Sequence, residues 1–272
     1  IYLESTNLTR GSLYQIVGNF YRKWNVPRVA RRASCVTTVS DFERQNIMEY
    51  FQFPGDRVVT IHNAASDWFR RVEDSNVLEA LSNRYNLPDK YILCLGSRDP
   101  RKNIRRFVEA LVVLHEQNRL DFKVVMVGVN AKYIRDLLSD MNNQALDDIF
   151  ICPGYVPDED LPAIYSMAEI FVYPSTREGF GIPILEAMAC ETPVITSNTS
   201  SMPEVAGDAA ILIDPYNPVS IAEGIDQLLC NKSLHQELVE RAKTQHRKFT
   251  WLNSAAKALQ LYEKVLLAKN NP

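Results

Sequence analysis

From residue 91 onward, short apolar runs alternate with amphipathic stretches, and this alternation limits the fold more than any other feature of the 272-residue chain. The runs at 91–95, 122–127, 149–152, 170–173, 194–196 and 210–213 read as strands. Most are apolar without interruption, as parallel strands covered on both faces require. The stretches near 103–118, 131–142, 159–167, 183–190, 202–206 and 218–230 read as helices. In the first of these, Ile104, Phe107, Val108, Leu111 and Leu114 recur at helical spacing, with Arg105, Arg106 and Glu109 on the opposite side. Alternation of this kind predicts an α/β fold, a doubly wound, Rossmann-like parallel sheet that binds ligands at the carboxyl ends of its strands.

Residues 1–90 are less regular. Two short β-like segments, 35–39 and 58–61, flank a helix from about 41 to 52, for which Asp41 after Ser40 is a candidate cap. The tail from about 252 to 268 reads as a helix with Ala255, Ala258, Leu259, Tyr262, Val265 and Leu266 on one side. Hydrophobic residues make up 46% of the chain, enough for a sizeable core and too many for disorder. No apolar run approaches the roughly 18 residues of a bilayer span, and a net charge of -3 gives no general pull toward nucleic acid. Cys35, Cys94, Cys152, Cys190 and Cys230 are odd in number and widely spaced, which suits buried reduced thiols better than disulfides. His62, His115, His235 and His246 show no metal-ligand spacing. Between Ser5 and Ser40 lie Arg10, Arg22, Lys23, Arg28, Arg31 and Arg32 with no acid, interleaved with Phe20, Tyr21 and Trp24. That stretch suits either a solvated helix or contact with an anionic membrane surface.

Chemistry concentrates in the segment from Arg177 to Ala189, which follows the strand at 170–173 and a Pro174-Ser175-Thr176 loop. Gly179 and Gly181 let the main chain approach a ligand closely, and Pro183 suits the first turn of the next helix. The amides and positive dipole end of that helix form an anion site suited to phosphate. Glu178 and Glu186 bracket the same spot. Carboxylates beside a phosphate site are suited to accept hydrogen bonds from sugar or ribose hydroxyls. The alternative is a capped helix with a surface glutamate at each end.

Glu178 and Glu186, with Gly-Phe-Gly-Ile-Pro between them, resemble the two-glutamate signature of retaining glycosyltransferases of family 4, which have the GT-B fold. Other segments follow in that family's order. Val39-Ser40-Asp41-Phe42 looks like its serine-rich strand exit, and Ile61-His62-Asn63-Ala64 resembles a variant of its Pro-Asn-Gly stretch. The segment from Gly96 to Asn103 is similar to its phosphate loop, Pro153-Gly154-Tyr155-Val156 to its base-binding loop, and Pro203-Glu204-Val205 to a later landmark. The resemblance runs from about 35 to 265.

It implies that Lys102 contacts the donor diphosphate, that the amides around Phe180, Gly181 and Ile182 hold sugar and diphosphate, and that Glu178 faces the sugar. It also implies that Glu186 accepts the ribose diol and that Gly154, Tyr155 and Val156 meet the base. Many members have Arg where Ser97 stands, so Arg98 or Arg101 becomes the substitute, and the sequence leaves that choice open. The implied cofactor is none, a nucleoside-diphosphate sugar being the donor substrate. Asp158-Glu159-Asp160 forms a DxD string, but it opens a helix, where acids meet the dipole favourably, so no metal is assigned.

Carried over the whole chain, the resemblance implies the C-terminal half of a GT-B fold with a partial N-terminal segment. Residues 1–52 become the end of an acceptor-side domain, 53–250 the donor-binding domain, and 251–272 a helix packing back on the N-terminal segment. It implies hexosyl transfer, with mannose as one candidate, to a glycan or lipid-linked acceptor with retention of configuration, at a cytoplasmic site at or near the inner membrane face. No segment supplies the family's N-terminal glycine-rich loop, and the chain opens on Ile1. A fragment, a partner of a separate N-terminal domain or subunit, and a non-catalytic nucleotide-sugar-binding module therefore remain as alternatives, with a nucleotide-sugar epimerase disfavoured by the paired glutamates.

Overall fold

The computed structural model, which describes residues 13–270, divides into two units: one runs to Asn63 and resumes at Trp251, and the other is Ala64–Thr250. In the first, α1 (Leu13–Arg32) leads to a short parallel pair, β1 (Val36–Thr38) and β2 (Val58–Thr60), joined through α2 (Asp41–Phe51). The α2 cap is Ser40, not Asp41. Ser40 has extended backbone angles, and its hydroxyl accepts the Glu43 N–H at 3.1 Å, so Asp41 falls inside the first turn and takes the Thr60 hydroxyl at 2.5 Å. Arg57 donates to the carbonyls of Ala30 and Ala33 at the end of α1, the pole where a helix favours a cation. The basic, aromatic stretch lies largely on α1, where Phe20, Tyr21, Trp24, Arg22, Lys23, Arg28, Arg31 and Arg32 are all exposed. Arg10 and Ile1 lie outside the described residues. Among the described residues no helix is long and apolar enough to cross a membrane.

The second unit opens with α3 (Ser75–Tyr85) and then alternates without a break. The sequence is β3 (Tyr91–Leu95), α4 (Ile104–Glu116), β4 (Lys123–Val127), α5 (Ala131–Asp140), β5 (Phe150–Gly154), α6 (Leu161–Met167), β6 (Ile170–Tyr173), α7 (Ile182–Ala189), β7 (Val194–Ser197), α8 (Met202–Ala206), β8 (Ala210–Ile213), α9 (Pro218–Cys230) and α10 (Lys232–Gln245). All six strands pair in parallel in the order β5-β4-β3-β6-β7-β8. The winding runs outward from β3 to β5, then restarts at β6 on the other side of β3. The β3–β6 pair is therefore the switch point, where doubly wound sheets open a crevice at their carboxyl ends.

Burial explains the apolar runs. Tyr91 to Cys94 and Ile170 to Val172 are fully buried, and α4 packs Phe107, Val108, Leu111 and Leu114 into one core with Ile92, Cys94, Ile170 and Val172. Each such side chain contributes about 1.5–3 kcal/mol. Asn231 starts α10 by accepting the Leu234 N–H, and Asp74 starts α3 by accepting the Asn76 N–H. All five cysteines are free thiols; Cys94 and Cys190 are buried, Cys35 and Cys152 half-buried, and Cys230, at the end of α9, is exposed, so burial does not extend to every one of them. In the first unit, α11 (Trp251–Asn270) closes the chain, and the Ser254 hydroxyl donates to the His62 carbonyl at 2.5 Å.

At the carboxyl ends of β3 and β4 the main chains come unusually close. Gly128 has φ +90°, and a Cβ there would stand 2.4 Å from the Gly96 carbonyl oxygen. Gly154 has φ +79° but open space around a Cβ. Gly128→Ala should lower unfolding free energy by about 2–4 kcal/mol, from strain plus overlap, and Gly154→Ala by only about 1–2 kcal/mol, from strain alone. Urea midpoints at unchanged slope measure both; equal losses would mean that the close approach at Gly128 relaxes freely.

Candidate active site

Two loops face each other across the switch point, one leaving β3 and the other leaving β6. The first is shaped by Asp99, whose carboxylate accepts the Arg101 N–H at 3.0 Å and caps the short turn Pro100–Lys102. The same carboxylate takes the Arg101 guanidinium at two points, Nε at 3.1 Å and a terminal nitrogen at 2.5 Å. Arg101 holds the Asp99 carboxyl below its ordinary value. The Ser97 hydroxyl accepts the Asp99 N–H at 3.2 Å, so this residue serves the loop itself. The Arg98 guanidinium lies 6.0 Å from the Tyr133 ring centroid, at the start of α5.

The turn ends on Lys102, whose Nζ lies 2.6 Å from the Tyr173 hydroxyl and 3.0 Å from Glu178 Oε1. Lys102 also sits 4.6 Å from the Tyr173 ring centroid. The two charged side chains are only 25% and 15% exposed, so water screens this pair less than a surface ion pair. Tyr173 is the last residue of β6 and fully buried; burial, with Glu178 adding to it, pushes its hydroxyl far above the ordinary range and keeps it neutral.

The second loop carries the helix entry. Gly181 stands at the N-cap of α7 with φ +106°, a conformation glycine adopts without strain, and Pro183 falls in the first turn. The first amides of any helix lack intrahelical partners and point outward, so the entry at Gly181 and Ile182 faces the carboxyl end of the sheet with its positive pole. Gly179 is exposed, whereas the Phe180 side chain is buried with its ring 5.5 Å from that of Phe249. Glu186 lies within α7, where its Oε2 accepts the Tyr165 hydroxyl at 3.1 Å. Burial pushes the Glu186 carboxyl up to about 7, with Asp158 adding to the rise and the Tyr165 hydrogen bond opposing it.

Of the residues singled out by sequence, Lys102 and Glu178 meet directly. Arg101 is held on Asp99 and Arg98 lies beside Tyr133. Gly154 ends β5 and its carbonyl accepts the Gly128 N–H at 2.8 Å. Tyr155 is 81% exposed, while the Val156 side chain is buried, leaving only the Val156 main chain for a ligand. The DxD string is partly committed to the fold, since Asp160 Oδ2 accepts the Tyr85 hydroxyl at 2.5 Å and Arg84 at 3.1 Å.

Sequence reading missed the residues that lace these loops together. Buried Asn103, at φ +59°, donates to the carbonyls of Pro174 at 3.0 Å and Pro215 at 2.7 Å. It thereby ties the β3 loop to those after β6 and β8. The Thr176 N–H donates to the Arg101 carbonyl at 2.8 Å. Tyr173 and Tyr165, read as strand and helix filler, turn out to be the hydroxyl partners of the site's charged groups. An asparagine directly before an apolar helical run was the available signal for Asn103.

A family model described as "Glycosyl transferases group 1" matches residues 79–245. The O-antigen chain mannosyltransferase B of Escherichia coli is 37% identical over 233 residues, which is 85% of this chain and 61% of that protein. A serotype-specific mannosyltransferase WbdA of Escherichia coli is 31% identical over 251 residues, covering 90% of this chain and 31% of that one. The chain thus spans less than two thirds of the length of either relative. Among solved structures, a glycosyltransferase from Rickettsia africae ESF-5 aligns with TM-score 0.77 at 22% identity, over 89% of this chain and 67% of that one. Anabaena HepE, solved in complex with UDP and glucose, aligns with TM-score 0.75 at 17% identity, over 90% and 67%. The last two show that the fold is shared.

The raised Glu186 carboxyl has a consequence for stability. Between its ordinary value of 4.5 and about 7, the folded chain keeps a proton that the unfolded chain has released. The stabilisation is therefore fully present below pH 4.5 and is lost as pH rises through about 7. Glu186→Gln should flatten this dependence, raising the urea midpoint relative to the parent at pH 8 more than at pH 5. An equal difference at both pH values would place the Glu186 carboxyl back in the ordinary range.

Proposed function

The chain belongs to the group 1 glycosyl transferases, and on that footing we propose that it carries the donor side of hexosyl transfer from a nucleoside-diphosphate sugar. The acceptor in this reading is a glycan or lipid-linked sugar, and the anomeric configuration is retained. The single observation that carries the reading is the contact between Lys102 and Glu178 across the switch point, next to the entry of α7. Mannose is the first choice of hexose, because two similar Escherichia coli proteins bear the name mannosyltransferase. The acceptor-binding groups are assigned to a separate N-terminal domain or subunit, in line with the length of both relatives that this chain does not match.

The chemistry follows from where charge develops. Breaking the bond between the anomeric carbon and the phosphate oxygen sends the electron pair to the diphosphate and leaves oxocarbenium character on the sugar. Lys102 and the amides around Phe180, Gly181 and Ile182 face the growing negative charge, and Glu178 faces the positive charge. The acceptor hydroxyl attacks from the face the diphosphate leaves, passes its proton to the leaving phosphate oxygen and closes the new glycosidic bond. Fixed groups aimed at developing charge are typically the largest catalytic contribution, about 2.7–4 kcal/mol for each donor removed. Because Lys102 and the helix pole supply positive charge, this reading needs no metal. Glu186 accepts the ribose diol, and Gly154, Tyr155 and the Val156 main chain meet the base.

Tyr173 gives the arrangement a resting state. With no diphosphate present, the Lys102 ammonium is satisfied by a neutral phenol and a carboxylate, so a half-buried charge is never left unpaired. A diphosphate then competes with groups already in contact rather than with water alone.

Assayed with that N-terminal domain or subunit supplied, Lys102→Ala and Glu178→Ala should each lower transfer at least tenfold while far-UV circular dichroism stays that of the parent. Normal turnover by both purified variants would remove the assignment. Tight donor binding by the parent, with that domain or subunit supplied and still neither hydrolysis nor transfer, would instead favour a nucleotide-sugar-binding module.

A further inference from the structure

The end of β7 and the segment leaving it carry four hydroxyls that meet the end of β6 and the Glu178 loop at successive points. Thr196 Oγ1 donates to the Tyr173 carbonyl at 3.0 Å, and Thr199 Oγ1 to the Thr176 carbonyl at 3.2 Å. Ser200 Oγ accepts the Glu178 N–H at 3.1 Å. Ser201 Oγ shares its single proton between the carbonyls of Glu178 at 3.0 Å and Phe180 at 2.8 Å. Beyond Tyr173 the strand ladder has ended and α7 has not begun, so 174–181 has no regular backbone pairing of its own. The hydroxyls take the place of a ladder. Ser201 is fully buried, which makes this shared hydrogen bond costly to lose.

Ser200 shows the constraint most plainly. It adopts φ +54°, in the left-handed region that disfavours side chains, although glycine would fit there without strain. What serine adds over glycine is a hydroxyl, and that hydroxyl holds the main chain of Glu178 itself.

We propose that Ser200 and Ser201 are positioning residues of the donor site: Ser200 sets the direction of the Glu178 side chain, and Ser201 sets the turn from Glu178 to the amides at the entry of α7. This rests on the donor-site reading above and deepens it. Neither serine touches the donor. Ser200 acts through Glu178, so its effect is confined to the sugar end of the ligand. Ser201 grips both sides of the turn, so its effect extends to the diphosphate.

The test is calorimetric titration of the full chain and its Ser200→Gly variant with UDP, GDP and ADP and with their hexose derivatives. Glycine relieves the backbone strain, so the variant should melt at or slightly above the parent temperature. Its affinity for the nucleotide hexose should fall at least fivefold, while that for the nucleoside diphosphate stays within twofold. Ser200→Ala, which keeps the strain and loses the hydroxyl, should show the same ligand-selective loss with a lower melting temperature. Ser201→Ala should weaken both ligands. Unchanged nucleotide-hexose affinity in folded Ser200→Gly, or equal loss for both ligands, would overturn the positioning role and leave the donor site standing. Failure of the parent chain to bind any of the six ligands would overturn the donor-site reading and this proposal together.

Discussion

The pairing of β3 with β6, through Ile92 with Ile170 and Leu93 with Phe171, is the constraint on which the site depends. These strands are parallel and far apart in sequence, with two strands and three α-helices between them in the chain. Their side chains are fully buried, and a slip of one residue would turn each apolar side chain to the other face of the sheet. With that register set, the loops leaving both strands emerge side by side. Lys102 and Glu178 then meet, although 76 positions separate them.

Core packing brings the loops together, but polar contacts shape them. Asn103 spans three loops with one side chain, and Ser201 grips two carbonyls on either side of Gly179. Each replaces backbone pairing that an irregular loop cannot make for itself. The charged groups are treated in two ways. Lys102 and Glu178 pair with each other against a buried phenol, whereas Glu186 is held by the Tyr165 hydroxyl and has its carboxyl raised by burial.

The sheet was legible in the sequence because parallel strands buried on both faces leave long apolar runs; 91–95, 170–173 and 210–213 coincide with the observed strands. Amphipathic helices such as 218–230 were legible for a similar reason. α3 and α10 were not singled out, being short of apolar residues and defined mainly by the caps at Asp74 and Asn231. The paired glutamates stood out because they flank a glycine-rich helix entry after a strand, and Lys102 through the likeness of 96–103 to the family's phosphate loop. Ser200, Ser201 and Asn103 did not, since a hydroxyl or amide in a loop looks the same whether it faces water or grips a carbonyl. Tyr173 was hidden inside a strand, where its ring accounts for its presence and its hydroxyl gives no sequence signal. The partner of Arg101 was hidden as well, since the two-point hold by Asp99 depends on a turn that brings residues two apart together.

The central claim is that the switch between β3 and β6 holds the diphosphate of a nucleotide sugar, with Lys102 as its principal cation. A crystal structure of the chain with a bound nucleotide sugar tests it most directly. The account predicts the diphosphate at the entry of α7, with Lys102 Nζ drawn from Glu178 onto a phosphate oxygen and Glu178 turned to the sugar. A diphosphate bound elsewhere, or one at this entry with Lys102 still on Glu178, would contradict it.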